Sequence, residues 1–182
     1  MDVLQNRIIA GFLCLLIIIA SSVVGVASTL APMRAQAQRV FYVGEGRGSP
    51  GISGDLSVIS AEAHNVTVIA GRYLVADYPA ITRVHQARSD LQLATGPQAR
   101  YQVTQELISA THTLRATLDG LELTDQDQNL LAGCMAEIQG RASLIDNNRY
   151  NQVAFGFNQS LTRFPANILG PAAGIRPLEL FE

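Results

Sequence analysis

The stretch "ISGDLSVISAEAHNVTVIAGRY", residues 52–73, decides the fold class. Its apolar positions Ile52, Leu56, Ile59, Ala63, Val66, Ala70 and Tyr73 are spaced 4, 3, 4, 3, 4 and 3. A period near 3.6 places all seven on one helical stripe, whereas a strand would scatter them over both faces. The spacing predicts a helix over about 54–75 with one buried face.

The same reading extends toward the C-terminus. In "ADYPAI", Asp77 is a candidate cap and Pro79 suits a first helical turn, and Ile81, Val84, Ala87, Leu91 and Ala94 follow on one face. "TGP" at 95–97 breaks that helix, and Leu107, Thr111, Leu114, Leu118 and Leu121 mark a third over about 98–119. Gly120 closes it. Thr124 with Asp127 three residues later approximates a capping box, with acids at the positive end of the helix dipole. From Leu131 through Met135, Ile138, Ala142, Ile145, Arg149, Val153, Phe157 and Leu161 to Phe164 the spacing stays at three or four, with Arg149 the non-apolar exception. That pattern predicts a single fourth helix of about 38 residues. No segment alternates with period two for more than a few residues. The fold class is therefore all-α, with amphipathic helices burying their stripes against one another as an antiparallel bundle.

Toward the N-terminus, residues 8–33, "IIAGFLCLLIIIASSVVGVASTLAPM", carry no charge. Twenty helical residues at about 1.5 Å each cross a hydrocarbon core of about 30 Å. The expected organisation is a tail at 1–7, a transmembrane helix at 8–32 and a helical bundle at 33–182 containing a glycine-rich loop at 44–54, "GEGRGSPGISG". A cleaved signal peptide is the alternative, with Arg7 as its positive region and "VAS" or "AQA" as the cleavage site; the apolar run is longer than the usual 7 to 15 residues, approximately, of such a peptide. Arg7 flanks one side and Arg34, Arg39 and Arg47 the other, so orientation stays open.

Composition narrows the partners. The 13 basic residues are all arginine, the net charge is −2, and no basic patch is set out for a phosphate backbone, so nucleic acid is not an expected partner. The expected partners are the lipid bilayer, through the N-terminal helix, and a protein whose identity the sequence does not give. Cys14 and Cys134 lie far apart and are not expected to form a disulfide.

Tyr150, Phe157 and Phe164 lie seven apart, so on one helix the rings would share a face, and Asn151 and Asn158 repeat beside them as amides suited to fixing helix register. Pro165 cannot continue the ladder, so "FP" should end the helix. These residues also carry a resemblance. "RYNQVAFGFNQSLTRFPANILG", with Asn167 after the Phe-Pro pair, followed by a terminal "LELFE" ending in Phe181 and Glu182, resembles the C-terminal signature of the LemA family. "RVFYVGEGRG", "GDLSVISAEAHNVTVIAGRYL" and "AITRVHQARSDL" are similar to the N-terminal portion of its shorter, clostridial-type members. His64 departs from the pattern, standing where an aromatic is common. The resemblance implies one N-terminal membrane anchor followed by a long-helix, LemA-like four-helix bundle. It supplies no catalytic residue and no cofactor.

A search for chemistry is correspondingly spare. There is no lysine, and no HExxH, GxSxG, CxxC or phosphate-binding glycine motif. His64, His85 and His112 fall on three predicted helices, but Glu-x-x-His pairs of a di-iron bundle are absent. Asp125, Asp127 and Glu137 are the acids to consider as a pair, with the first two explained by the helix dipole. "NVT" at 65 and "NQS" at 158 match a glycosylation pattern on helical stretches. The tail "GIRPLELFE" presents Leu178, Leu180 and Phe181 either to the bundle or to a partner. With the bacterial setting that the resemblance implies, the expectation is a membrane-anchored, non-enzymatic scaffold or adaptor of the envelope with no metal or cofactor; the alternatives are a metal-binding or metalloenzyme bundle using His64, His85 and His112, and a secreted binding domain after signal cleavage.

Overall fold

The computed structural model describes residues 7–44 and 50–182, and among them the regular structure is entirely helical: α1 (Arg7–Tyr42), α2 (Gly51–Ala70), α3 (Pro79–Leu93), α4 (Pro97–Leu118), α5 (Asp125–Asp146), α6 (Tyr150–Leu161) and α7 (Ala166–Ala172). The chain divides into two compact units, one of residues 1–37 with 152–178, the other of residues 38–151 with 179–182.

In the larger unit α2 packs against α3, α4 and α5, and α3 packs against α4. The stripe that decided the fold class is the face that does so. Ile52, Leu56, Ile59, Ala63, Val66 and Ala70 are all buried, as are Ile81, Val84, Ala87 and Leu91 of α3, Leu107, Thr111, Leu114 and Leu118 of α4, and Leu131, Met135 and Ile138 of α5. Each buried Leu or Ile contributes about 1.5 to 3 kcal/mol through removal of apolar surface from water. Tyr73, the last member of the predicted stripe, lies in the turn after α2 and reaches back to α5 with its hydroxyl.

Three boundaries differ from the sequence reading. Helix α2 starts at Gly51, within the stretch read as a loop at 44–54, and ends at Ala70; residues 45–49 of that loop lie outside the described residues. Gly51 has φ +65°, and a Cβ there would meet the Gly44 nitrogen at 2.7 Å and the Phe41 carbonyl oxygen at 2.8 Å, so this turn into the helix requires glycine. Asp77 does not cap α3, whose N-cap is Tyr78, although Pro79 does occupy the first turn.

The third difference is the largest. The predicted fourth helix of about 38 residues is two helices, α5 and α6, broken at 147–149. Asn147 caps the end of α5 and donates from Nδ2 to the Ser143 carbonyl at 2.8 Å, while Asn148 Oδ1 accepts from the Tyr150 N–H at 2.8 Å and so starts α6. Adjacent asparagines satisfy both freed ends of the backbone ladder, and the apolar spacing carries on across the break. At the start of α5, Thr124 is the N-cap as expected, accepting from the Asp127 N–H at 3.2 Å.

In the smaller unit, Leu30 of α1, Phe157 and Leu161 of α6 and Ala166 of α7 form a buried cluster, flanked by Val26, Met33, Ile175 and Leu178. Earlier on α1, Phe12, Leu15, Leu16, Ile17 and Ile18 are each more than half exposed. This helix is long and apolar enough to cross a membrane, and lies near the N-terminus, where a signal sequence meets the same description.

Candidate functional site

The residues singled out at the C-terminal end of the sequence fall into both units. In the larger unit Tyr150 and Phe181 are buried. The Tyr150 hydroxyl donates to the Glu179 carbonyl at 2.7 Å, and burial, followed by the nearby Glu179 charge, pushes its pKa up to about 12. Asn151 holds the backbone of Phe181 from both sides: Nδ2 donates to its carbonyl at 2.9 Å and Oδ1 accepts from its N–H at 2.7 Å. The Phe181 ring sits 5.2 Å from Tyr101, nearly edge-on, and 5.9 Å from Phe41, which itself meets Tyr150 at 5.0 Å. Edge-to-face pairs at these separations add to burial because the positive ring edge meets a negative face. Glu182 is exposed at the rim of a cavity of about 140 Å³ shared with Asp146 and Asn148.

In the smaller unit the pattern repeats. Asn158 Nδ2 donates to the Leu178 carbonyl at 2.8 Å and its Oδ1 accepts from the Leu178 N–H at 2.8 Å. Both asparagines thus bind an extended C-terminal segment as a neighbouring strand would, where the sequence reading had them setting register between helices. Phe157 is fully buried, but Phe164 does not join Tyr150 and Phe157 on a helical face. Helix α6 stops at Leu161, Phe164 is 81% exposed, and Pro165, joined to it by a cis peptide bond, is the N-cap of α7. Asn167 is exposed in the first turn of α7.

The tail was therefore half legible. Phe181 and Leu178 pack back onto the protein, one of the two outcomes the sequence leaves open; the seven-residue repeat marks Asn151 and Asn158 but not their backbone partners in the tail.

The two buried carboxylates of the larger unit, Asp127 and Asp55, are held in structural pairs. Asp127, almost fully buried, accepts from the Tyr73 hydroxyl at 2.6 Å and pairs with Arg72, while the Tyr73 oxygen accepts from the Thr124 N–H at 3.1 Å. The Tyr73 hydrogen bond, with help from Thr124 and Arg72 against desolvation, holds the Asp127 carboxyl below its ordinary range. Arg141 bridges Glu137 at 2.7 Å and the buried Asp55 at 3.1 Å. Of the acids considered as a pair, Asp127 and Glu137 are thus each held by a different arginine. The His64 and His85 rings lie 6.3 Å apart, and among the described residues no group of three or more His, Cys, Asp or Glu is placed to hold a metal. Cys134 is buried, and that burial, with Glu62 beside it, raises its thiol to about 11, so it is a poor nucleophile.

The polar cleft of the larger unit has a volume of about 380 Å³ and runs along α2, where Ser53, Ser57 and Ser60 face Arg88 and Arg100. Arg88 Nε donates to the Ser60 carbonyl at 2.9 Å; Arg100 Nε donates to the Ala94 carbonyl and one terminal nitrogen to Ser53 Oγ, both at 3.2 Å. Among the described residues its lining holds serine hydroxyls, two guanidinium groups and the Gln92 amide, and no histidine, cysteine or carboxylate. The chain matches no protein-family model and no curated protein.

Proposed function

We propose that this chain is a single-pass, membrane-anchored helical protein of LemA-like type that serves as a non-enzymatic scaffold or adaptor in a bacterial envelope, its helices forming an antiparallel bundle tethered through α1. The observation that carries the reading is α1: an uncharged run of 26 residues, 8–33, whose large apolar side chains from Ile9 to Ile19 are bare. Side chains of this kind left in water would aggregate, and a bilayer is the solvent that matches them.

The site chemistry supports a binding role. The buried carboxylates Asp127 and Asp55 are tied to arginine, and the polar cleft is lined by serine hydroxyls and by Arg88 and Arg100, which are bonded to carbonyls and to Ser53. The resemblance gains support from contact between its parts, since Tyr150 and Asn151 of the "YN" motif bond Glu179 and Phe181 of the terminal motif. The test is a turnover screen on full-length, detergent-extracted protein against ester, phosphoester and peptide substrates, with and without divalent metal, alongside measurement of bound metal. The reading predicts neither turnover nor stoichiometric metal. An activity abolished by a single side-chain substitution, or metal lost on replacing His64, His85 and His112, overturns it.

A further inference from the structure

The smaller unit carries a second apolar surface, separate from the bare half of α1. Between α6 and α7 the chain turns a corner at residues 162–165, and there Phe164 is 81% exposed and Ile168, in the first turn of α7, is 62% exposed. The corner is not free to sit anywhere: Leu161 and Ala166 on either side of it are buried against Leu30, with Val26 and Met33 packed alongside.

That contact fixes its depth. The charge-free run 8–33 ends at Arg34, and at about 1.5 Å per residue it measures about 39 Å, close to a whole bilayer with its headgroup layers. The hydrocarbon core alone takes up about 20 of those residues. A crossing that begins at Ile8 therefore reaches the headgroup boundary near residues 26–33 of α1, the level at which the corner packs.

Charge agrees with depth. The residues of the smaller unit contain four arginines, Arg7, Arg34, Arg163 and Arg176, and one acid, Asp2, whereas those of the larger unit contain nine arginines and fourteen acids. The net charge is thus +3 in the smaller unit and −5 in the larger, in a chain of net −2. Arg163, immediately before Phe164, is exposed. Exposed aromatic and aliphatic side chains flanked by arginine form the composition that lies in the plane of an anionic membrane surface. A groove of about 460 Å³ lined by Gly25, Val26, Leu30 and Met33 of α1 and by Pro165 and Ala166 adjoins the corner and is mostly apolar.

We propose that the α6–α7 corner is a second membrane contact: Phe164 and Ile168 enter the boundary between headgroups and acyl chains of the bilayer that α1 crosses, and Arg163 meets anionic headgroups. This rests on the anchor reading above, and the experiment separates the two. Full-length protein with Cys14→Ala and Cys134→Ala receives a single cysteine at Leu16 or Ile168, both exposed and so replaceable without disturbing the core. An environment-sensitive fluorophore is attached, and the protein is reconstituted in phosphatidylcholine–phosphatidylglycerol vesicles holding nitroxide lipids labelled either at the headgroup or deep in the acyl chain. The expected result, relative to the same vesicles without nitroxide, is loss of Leu16 fluorescence to the deep nitroxide and blue-shifted Ile168 fluorescence lost to the headgroup nitroxide. An Ile168 signal neither blue-shifted nor quenched, with Leu16 still quenched, overturns the corner contact and leaves the anchor standing; an unquenched Leu16 overturns both.

Discussion

Asn151 and Phe181 are joined by two hydrogen bonds, the side-chain amide donating to the Phe181 carbonyl at 2.9 Å and accepting from its N–H at 2.7 Å. One side chain thereby replaces a β-strand partner for the end of the chain, while the Phe181 ring is inserted among Phe41 and Tyr101. Removing the amide leaves two backbone groups to find water at a half-buried site. Asn151→Ala is expected to destabilise the protein by about 1 to 3 kcal/mol. In hydrogen exchange the Phe181 amide should lose its protection, and Asn151→Asp, which keeps the acceptor for that N–H and loses only the donor to the carbonyl, should retain more of it than Asn151→Ala. Unchanged protection of Phe181 in Asn151→Ala would show that the ring alone holds the tail.

Ile59 lies at the middle of the α2 stripe and is fully buried. Ile59→Asp places a charge with no partner among α3, α4 and α5, a cost beyond about 4 kcal/mol and enough to unfold a domain of ordinary stability. Circular dichroism should show loss of cooperative melting. A variant that melts like the parent would mean that this face does not form the core.

The Asp127 carboxyl is held below its ordinary value of 3.8, chiefly by the Tyr73 hydroxyl. The sign follows from linkage: a carboxyl with a depressed folded pKa stabilises the protein above its unfolded pKa, and that contribution fades as pH falls through the folded value. Asp127→Asn should therefore be less stable than the parent at neutral pH, with the gap narrowing below pH 3.8. Denaturant midpoints across acid pH test this; a gap independent of pH would assign the loss to the changed hydrogen bonds rather than to ionisation.

Gly51 starts α2 at φ +65° with backbone atoms of Phe41 and Gly44 within 3 Å of where a Cβ would stand. Gly51→Ala is expected to cost more than the roughly 1 kcal/mol of an ordinary left-handed alanine, since backbone cannot move aside as a side chain can. Gly133→Ala is the control, because a Cβ there meets nothing within 4 Å and alanine favours a helix interior. Equal melting temperatures for the two variants would contradict the close approach at Gly51.

These residues also show where sequence reading succeeds and where it stops. The stripes of α2 to α5 and the Thr124 cap were legible because each is a local pattern: burial on one face enforces a period, and a cap has a fixed offset from its N–H. The break at 147–149 was hidden because apolar spacing continued across it, and its one mark was Arg149 standing in an otherwise apolar row. Phe164 kept the seven-residue rhythm of Tyr150 and Phe157 without sharing their helix, since periodicity does not report where a ladder ends. The partners of Asn151 and Asn158 lie 30 and 20 residues away, and an amide bonding a distant backbone leaves no trace in spacing. The same holds for the Tyr73–Asp127 and Arg141–Asp55 pairs.

The most direct test of the membrane-anchored account is alkaline carbonate extraction of membranes from cells expressing the full-length chain, followed by intact-mass measurement. The account predicts a carbonate-resistant membrane protein whose mass still includes residues 8–33. Recovery in the medium or the soluble fraction, with a mature N-terminus near Ser28 or Gln36, would contradict it and make the bare half of α1 a cleaved signal sequence.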